Sequence, residues 1–594
     1  MYYDNRIKQG SKNSKLIWQS INEIVMHKGG KNKHLTAIKD ELGLVHTDSS
    51  SISNILNSHF STIGEKMQHL CPKVTHHLPS SQSSSFFLKP FTVEEICLQL
   101  QHIDIRKSVR PEDIPSKFIK ESAEVLAPTL TKIFNICLDQ NTFPDELKIA
   151  CVIPIFKKSD PMTCGNYRPI SLISAFSKIF EKCLFNQINS FLTKFNVINP
   201  NQFGFQQNTS TEMAVSTMYE QYSGNIEKGL FTCSVFLDIA KAFDSVDHNI
   251  LFQKLECYGI RGQPLALIKS YFENRFQYTV VNGCASSLLP VKAGVPQGSV
   301  LGPLFFLIFI NDLPQSTNLK TTLFADDACL TYGSTSLGHL EETVNKELEN
   351  VSGWMQRNRL SLNVEKSSFM LIHNKKSKNN IKLQINNSTI QRTEYTKYLG
   401  VLVDEKLRWK THIDQVVKKL SKCMWAICRL RRYTSLTTLK MLYYALAYPH
   451  IQYCISTWGG AVQKHLDPLL KMQKRLVRVM LSEPFIAPSD PLFKKLKLLK
   501  LEDIYKFQIG KLMFLNHNHL IKLPHSLILS TDRHFHATRS TTNQNYSLPY
   551  VRTNIGVNSL SFSGPKVWNS IPIDIKQSTI FSFKNKYKQF LHNS

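Results

Sequence analysis

Two adjacent carboxylates, Asp326 and Asp327, stand inside an apolar run, Leu323-Phe324-Ala325-Asp326-Asp327-Ala328-Cys329-Leu330. Burying an unpaired carboxylate is costly, so acids in such a run normally meet a cation or a metal. Hard oxygen ligands suit Mg²⁺, which is usually held by one or two carboxylates together with substrate phosphates. The chemistry indicated is phosphoryl transfer. A third acid, Asp238, follows the apolar run Phe231-Thr232-Cys233-Ser234-Val235-Phe236-Leu237, which is bounded by Gly229 and has the pattern of a buried strand. An acid at one strand end and an Asp-Asp pair at the tip of a hairpin can surround two metals, which then stabilise the attacking and leaving oxygens of an in-line displacement. Taken alone, Asp238 would serve equally well as a helix N-cap.

Three ordered segments resemble the polymerase motifs of reverse transcriptases. Leu237-Asp238-Ile239-Ala240-Lys241-Ala242-Phe243-Asp244 resembles motif A, Ala293-Gly294-Val295-Pro296-Gln297-Gly298-Ser299-Val300-Leu301-Gly302-Pro303 motif B, and Phe324-Ala325-Asp326-Asp327 motif C. The resemblance is to non-LTR (LINE-type) retrotransposon enzymes of the jockey-like kind and runs from about Phe91 to the C-terminus. It implies an RNA-directed DNA polymerase that uses an RNA template, a DNA primer and dNTPs. Two Mg²⁺ ions, with Mn²⁺ as a substitute, would be held by Asp238, Asp326 and Asp327.

The same resemblance assigns further roles. Phe243 would be a steric gate under the sugar of the incoming nucleotide, although plain core packing also accounts for a phenylalanine. Gln297, the polar group on a loop too rich in Gly and Pro for a regular element, would lie near the nascent base pair. The apolar run Leu304–Ile310 after it is too short to span a membrane, which takes about 20 residues. Arg168, in Asn166-Tyr167-Arg168-Pro169, is the first choice for gripping the triphosphate, because arginine binds phosphate oxygens bidentately. Lys157 or Lys158 is the second, and the sequence does not separate them. Lys366, in Leu360-Ser361-Leu362-Asn363-Val364-Glu365-Lys366, resembles the motif D lysine that protonates the leaving pyrophosphate, a general-acid role. Tyr398-Leu399-Gly400 resembles the primer grip, and its glycine fits a tight strand connection without further function.

The chain departs from the family at two places. Val109-Arg110-Pro111-Glu112-Asp113 stands where relatives often carry a Gly-Pro-Asp-type run, and Phe203-Gly204-Phe205 is followed by Gln206-Gln207-Asn208 instead of an arginine. These changes keep a second class of reading open, a non-catalytic nucleic-acid-binding retroelement relic. An RNA-dependent RNA polymerase shares the carboxylate chemistry, but the Phe243 gate argues against it.

Composition agrees with a nucleic-acid enzyme. With 72 Lys+Arg against 45 Asp+Glu, the 594-residue chain carries a net charge of +27, the electrostatic footprint of phosphate-backbone binding. The 13 cysteines are scattered through apolar runs without a Cys-x-x-Cys pair, so buried free thiols are expected, not a zinc ribbon. His517, His519, His525, His534 and His536 cluster without cysteine partners and read as polar surface. No signal peptide or long apolar span points to a membrane, and an intracellular protein, nuclear and cytoplasmic, is expected.

The expected fold class is α+β, a right-hand polymerase with fingers, an antiparallel palm sheet and a helical thumb. Residues 1–90 read as a polar N-terminal linker region with a short helix around Leu16–Val25 and a Ser-rich stretch at 80–85. Fingers and palm fill 91–404 (core about 137–404), the thumb 405–495 and a C-terminal extension 496–594. In the thumb, Ile413, Val416, Val417, Leu420, Met424, Ile427 and Leu430 recur at helical spacing, with Lys418, Lys419, Lys422, Arg429 and Arg431 between them. A second helix runs through Leu466, Leu469, Leu470, Leu476 and Val477. Trp568 is expected in a core. Full proteins of this branch carry an endonuclease ahead of the polymerase. Too few residues precede the fingers for one, so a partial element product is expected, its endonuclease supplied by another domain or chain.

Overall fold

The computed structural model describes every residue except 1, 10–13, 27–33, 70–77, 80, 107–109, 111–112, 375–380, 524–526, 533–538 and 594. Val109, Pro111, Glu112, His525, His534 and His536 therefore lie outside the described residues. The fold is α+β, as expected, with two five-stranded sheets among many helices.

The central sheet has the order Gln391–Arg392, Ser368–Ile372, Phe231–Leu237, Asp327–Ser334, Lys320–Phe324. All neighbours are antiparallel except the first pair. Phe231–Leu237 is buried along its whole length, because helices cover both faces. Its residues Phe231, Cys233, Val235 and Leu237 enter one core with Leu340, Val344 and Leu348 of helix Leu337–Arg357. Phe236 points the other way, into a core shared with Val215, Met218 and Tyr222 of helix Thr211–Glu227. A strand packed on two sides reads as one continuous apolar run, and this is the run in the sequence.

The second sheet joins the hairpin Ala150–Phe156/Tyr167–Leu172 to Phe276–Val281 and two short strands. Here residues 1–90 differ from the expected linker. Ser49–His69 is a 21-residue helix whose Ile52, Leu56 and Phe60 pack on Val152, Tyr167 and Val281. Its buried Asn57 donates to the carbonyls of Gln277 and Ser287, and accepts from Thr279 Oγ1. Ser14–Met26 is helical, as expected, and its Ile21 and Ile24 join the core of the C-terminal helices.

Those helices follow the predicted stripe. Within Lys410–Leu430, Ile413, Val416, Leu420, Ile427 and Leu430 are buried, facing Leu466, Leu469, Leu476 and Val477 of Gln463–Leu481. Trp568 is fully buried and donates to the Gln544 carbonyl. His517 is not polar surface: it is half-buried against Tyr546 and Trp568. Among the described residues every cysteine is free, and no helix is long and apolar enough to cross a membrane.

One ion pair is enclosed in the main core. Lys254 Nζ donates to Asp312 Oδ1 at 2.5 Å and to the Phe309 carbonyl at 2.6 Å, and Trp354 Nε1 donates to Asp312 Oδ2 at 3.1 Å. It ties helix His248–Cys257 to the end of helix Leu301–Ile310 and to Leu337–Arg357.

Candidate active site

Strand register brings the three acids together. Leu237 pairs with Ala328, so Asp238 and Asp327 are the next residues on adjoining strands. Phe324 pairs with Asp327, which leaves Ala325 and Asp326 as a two-residue turn. Ala325 adopts φ +54°, a left-handed conformation that costs an L-residue about 1–2 kcal/mol.

The electrostatics follow from this packing. Asp326 is pushed above its ordinary value by partial burial and then by Asp238, against the pull of Arg168 and Lys157. Asp327 remains open to solvent at the tip, yet protein surrounds it on its other sides. That desolvation first, and then the charges of Asp326 and Asp238, push it up to about 6. Among the described residues no group of three or more His, Cys, Asp or Glu side chains is arranged so that it could by itself hold a metal ion. The donor set still fits Mg²⁺, which commonly completes its shell with water and substrate oxygens, and the mutual repulsion of the acids is what a cation would relieve.

This fixes a pH dependence. Mg²⁺ needs the carboxylate form, so binding should weaken as pH falls through 6, with each ion displacing more protons near pH 6 than at pH 8. Calorimetry in two buffers of different ionisation enthalpy measures this. Equal proton release at both values would remove Asp327 from the binding step.

Basic groups face the acids from the second sheet. Tyr167 and Pro169 are buried, so the alternation of the strand leaves Arg168 on its exposed side. Lys157 is held below the ordinary lysine value by partial burial, then by Arg168 and Lys366, while Asp238 acts in the opposite sense. Lys157 thus senses the acids, and its charge acts on both Asp326 and Asp327. Lys366 is exposed at the end of a segment laid along Asp238: the Asn363 N–H donates to the Asp238 carbonyl (2.9 Å) and the Ala240 N–H to the Ser361 carbonyl (2.8 Å).

Phe243 is half-buried, stacked on Phe306 at 4.3 Å with Phe205 edge-on at 6.1 Å. Gln297 is turned to Asp244, donating to its Oδ1 at 2.7 Å, and not to the three acids. Its loop is anchored on the second sheet, where the Ser171 N–H donates to the Gln297 carbonyl. Gly298 has φ +140°, and a Cβ there would stand 2.3 Å from the Ser171 carbonyl oxygen, so only glycine fits this crossing. Tyr398 is buried against Phe236, with its hydroxyl on the Thr322 carbonyl and its ring close enough for Asp327 to act on it. Leu399 and Gly400 form the turn beyond it, held from the C-terminal helices by Tyr453 Oη on the Leu399 carbonyl.

Two residues that matter here were not singled out from sequence. Buried Glu181 accepts from the Val300 and Leu301 N–H groups at 2.7 and 3.0 Å, serving the start of helix Leu301–Ile310 beside Ser299 Oγ, which accepts from the Gly302 N–H at 2.9 Å. Gln202 is also buried, and its Oε1 accepts from Ala325 N and from Gly204 N, both at 2.8 Å. Its signal was its place beside Phe203-Gly204-Phe205, a segment weighed only for the arginine it lacks. Removing Gln202 Oε1 strands two buried N–H donors at about 1–3 kcal/mol each. Gln202→Ala should therefore slow single-turnover incorporation about 10- to 100-fold. Ala325→Gly in the same chain should recover part of the loss, because glycine accepts the turn's φ. Wild-type rates from Gln202→Ala would mean that the turn holds itself.

Residues 155–403 match the family model described as reverse transcriptase (RNA-dependent DNA polymerase), and all three acids lie within them. The chain carries a reverse transcriptase domain. It is 27% identical over 464 residues to the RNA-directed DNA polymerase from mobile element jockey of Drosophila melanogaster, covering 76% of this chain and 50% of that protein. The jockey protein of Drosophila funebris is 28% identical over 428 residues (70% and 46%). The probable RNA-directed DNA polymerase from transposon X-element of Drosophila melanogaster is 29% identical over 384 residues (63% and 42%). The reverse transcriptase domain thus sits in a jockey-like chain, similar to non-LTR retrotransposon polymerases and spanning about half the length of these curated relatives.

Proposed function

We propose that this chain is an RNA-directed DNA polymerase that joins a dNTP to a primer 3′-OH on an RNA template. The observation carrying this is the meeting of Asp238, Asp326 and Asp327, by strand register, under the cations Lys157 and Arg168 within the matched domain. In this reading the central sheet is the palm, the second sheet belongs to the fingers, and the helices after Asp404 form the thumb and C-terminal extension. Asp238, Asp326 and Asp327 would hold two Mg²⁺ ions. When bound, these supply charge for the attacking 3′-OH and the leaving pyrophosphate. Arg168 and Lys157 take the triphosphate oxygens, and Lys366 is positioned to give a proton to pyrophosphate. Gln297, fixed by Asp244, borders the nascent pair, and Tyr398-Leu399-Gly400 holds the primer end.

Phe243 lies five residues after Asp238 and is braced by Phe306, as a gate against a 2′-OH needs to be. Phe243→Ala should raise rNTP relative to dNTP incorporation by about tenfold or more, a shift of ~1.4 kcal/mol. Unchanged sugar selectivity returns Phe243 to core packing. The direct test of function is primer extension on an RNA template with Mg²⁺ and dNTPs. Failure by folded, RNA-binding protein favours the non-catalytic reading, to which Gln206 in place of arginine would contribute.

A further inference from the structure

Arg275 stands at the start of strand Phe276–Val281, where the Gly- and Pro-rich loop that carries Gln297 leaves the second sheet. Its carbonyl accepts from the Val291 N–H at 2.9 Å, and Phe276 beside it pairs with Pro290. The residue is only 4% exposed. Its Nη1 donates to the Tyr271 carbonyl at 2.9 Å, and the guanidinium lies 4.6 Å from the centre of the Tyr271 ring. Nη2 is buried as well and has no hydrogen-bond partner among the described residues. A buried charged donor is costly to leave unpaired, so Nη2 marks a place that calls for a polar partner.

Arg275 lines a cavity of about 40 Å³ together with Ser171, Asp244, Gly294, Pro296 and Gln297. That is room for ordered water, since one buried water needs about 10–15 Å³. The two charged walls are complementary. Arginine only donates, while a carboxylate only accepts, so water between them can accept from one and donate to the other. The backbone of the loop is tied by other groups. The Gly294 and Val295 N–H groups donate to the Val246 and Phe243 carbonyls, both at 2.8 Å, and His248 Nε2 lies 2.8 Å from the Gly294 carbonyl. These bonds set the path of the loop. The direction of the Gln297 side chain is set by Asp244, which takes its amide at 2.7 Å.

We propose that Arg275 is a positioning residue for nucleotide addition: through ordered water in this cavity its Nη2 steadies the Asp244 carboxylate, and Asp244 in turn holds the Gln297 amide in place. The role rests on Gln297 bordering the nascent pair.

The test is single-nucleotide incorporation on an RNA template by the full chain, comparing wild type, Arg275→Lys, Gln297→Ala and the double variant. Melting temperature and RNA binding are read on the same preparations. Burial pushes the Glu181 carboxyl up, and the positive charge of Arg275 acts against it. Lysine keeps that charge but lacks the second donor of the fork, so the fold should survive while the contact into the cavity is lost. Arg275→Lys should raise the dNTP KM about three- to tenfold, with kcat within about twofold of wild type. In Gln297→Ala protein the same substitution should change KM by less than about twofold, because residues that act through one another are not additive. A full Arg275→Lys effect on top of Gln297→Ala would overturn the proposal and leave Gln297 at the nascent pair. A KM untouched by Gln297→Ala would overturn both. Melting temperature, kcat and RNA binding falling together in Arg275→Lys would reduce Arg275 to a residue of the fold and overturn the positioning role.

Discussion

Asp326→Ala should abolish dNTP incorporation, by at least about 10³-fold, while leaving RNA binding largely intact. Asp326 occupies the second position of a two-residue turn whose backbone is already fixed by Gln202 and by the Phe324–Asp327 pair. Losing its carboxyl group removes one of three negative charges and little packing, since its side chain is only partly covered. The remaining Asp238 and Asp327 are freed of the repulsion from Asp326 but offer fewer oxygens to a divalent ion. The effect should therefore fall on the chemical step. Primer extension at saturating template, beside an RNA-binding titration on the same preparations, separates the two. Substantial extension by Asp326→Ala would refute the assignment of the site. Loss of RNA binding in parallel would instead mean that the substitution had damaged the fold.

The second large effect concerns stability. Asp312→Ala should destabilise the protein by about 3–5 kcal/mol, because it strands the Lys254 ammonium, 1% exposed, deep in the main core. Lys254 would keep only the Phe309 carbonyl and the faces of Phe309 and Trp354, and the Trp354 N–H would lose its acceptor. Replacing both partners with apolar residues, Lys254→Met with Asp312→Leu, should cost much less, since no charge is then left buried. Chemical denaturation of the two variants makes the comparison. A double variant as unstable as Asp312→Ala would mean that shape, not the unpaired charge, governs this site. Asp312 is outside the acid cluster, so a folded double variant should still extend a primer.

The main outline was legible because it rests on local patterns. A seven-residue apolar run bounded by a glycine and an acid has the pattern of a buried strand, and Phe231–Leu237 followed by Asp238 is one. The stripe from Ile413 to Leu430 has the helical period, and its helix is found. The helix Ser49–His69 was legible in principle, since Ile52, Leu56 and Phe60 repeat every four residues. Its many serines and asparagines hid it, because these side chains satisfy each other and the second sheet only once the helix is docked. Glu181 could not be read at all, and Gln202 only as a neighbour of Phe203-Gly204-Phe205. Glu181 serves the Val300 and Leu301 N–H groups and Gln202 the Ala325 N–H, all more than a hundred residues away in sequence, and a backbone donor leaves no letter in the sequence.

Residue types alone determined which chemistry is available: three hard-oxygen donors, a basic surface, an aromatic five positions after the first acid. Tertiary structure alone decided which of them meet. It brings the charge of Lys157 to bear on the acids, and it turns Gln297 onto Asp244. It also gives Asp327 its raised affinity for a proton. The physical reason is the same in each case. Charge, hydrogen bonding and desolvation depend on distance in space, and strand register and helix docking set that distance.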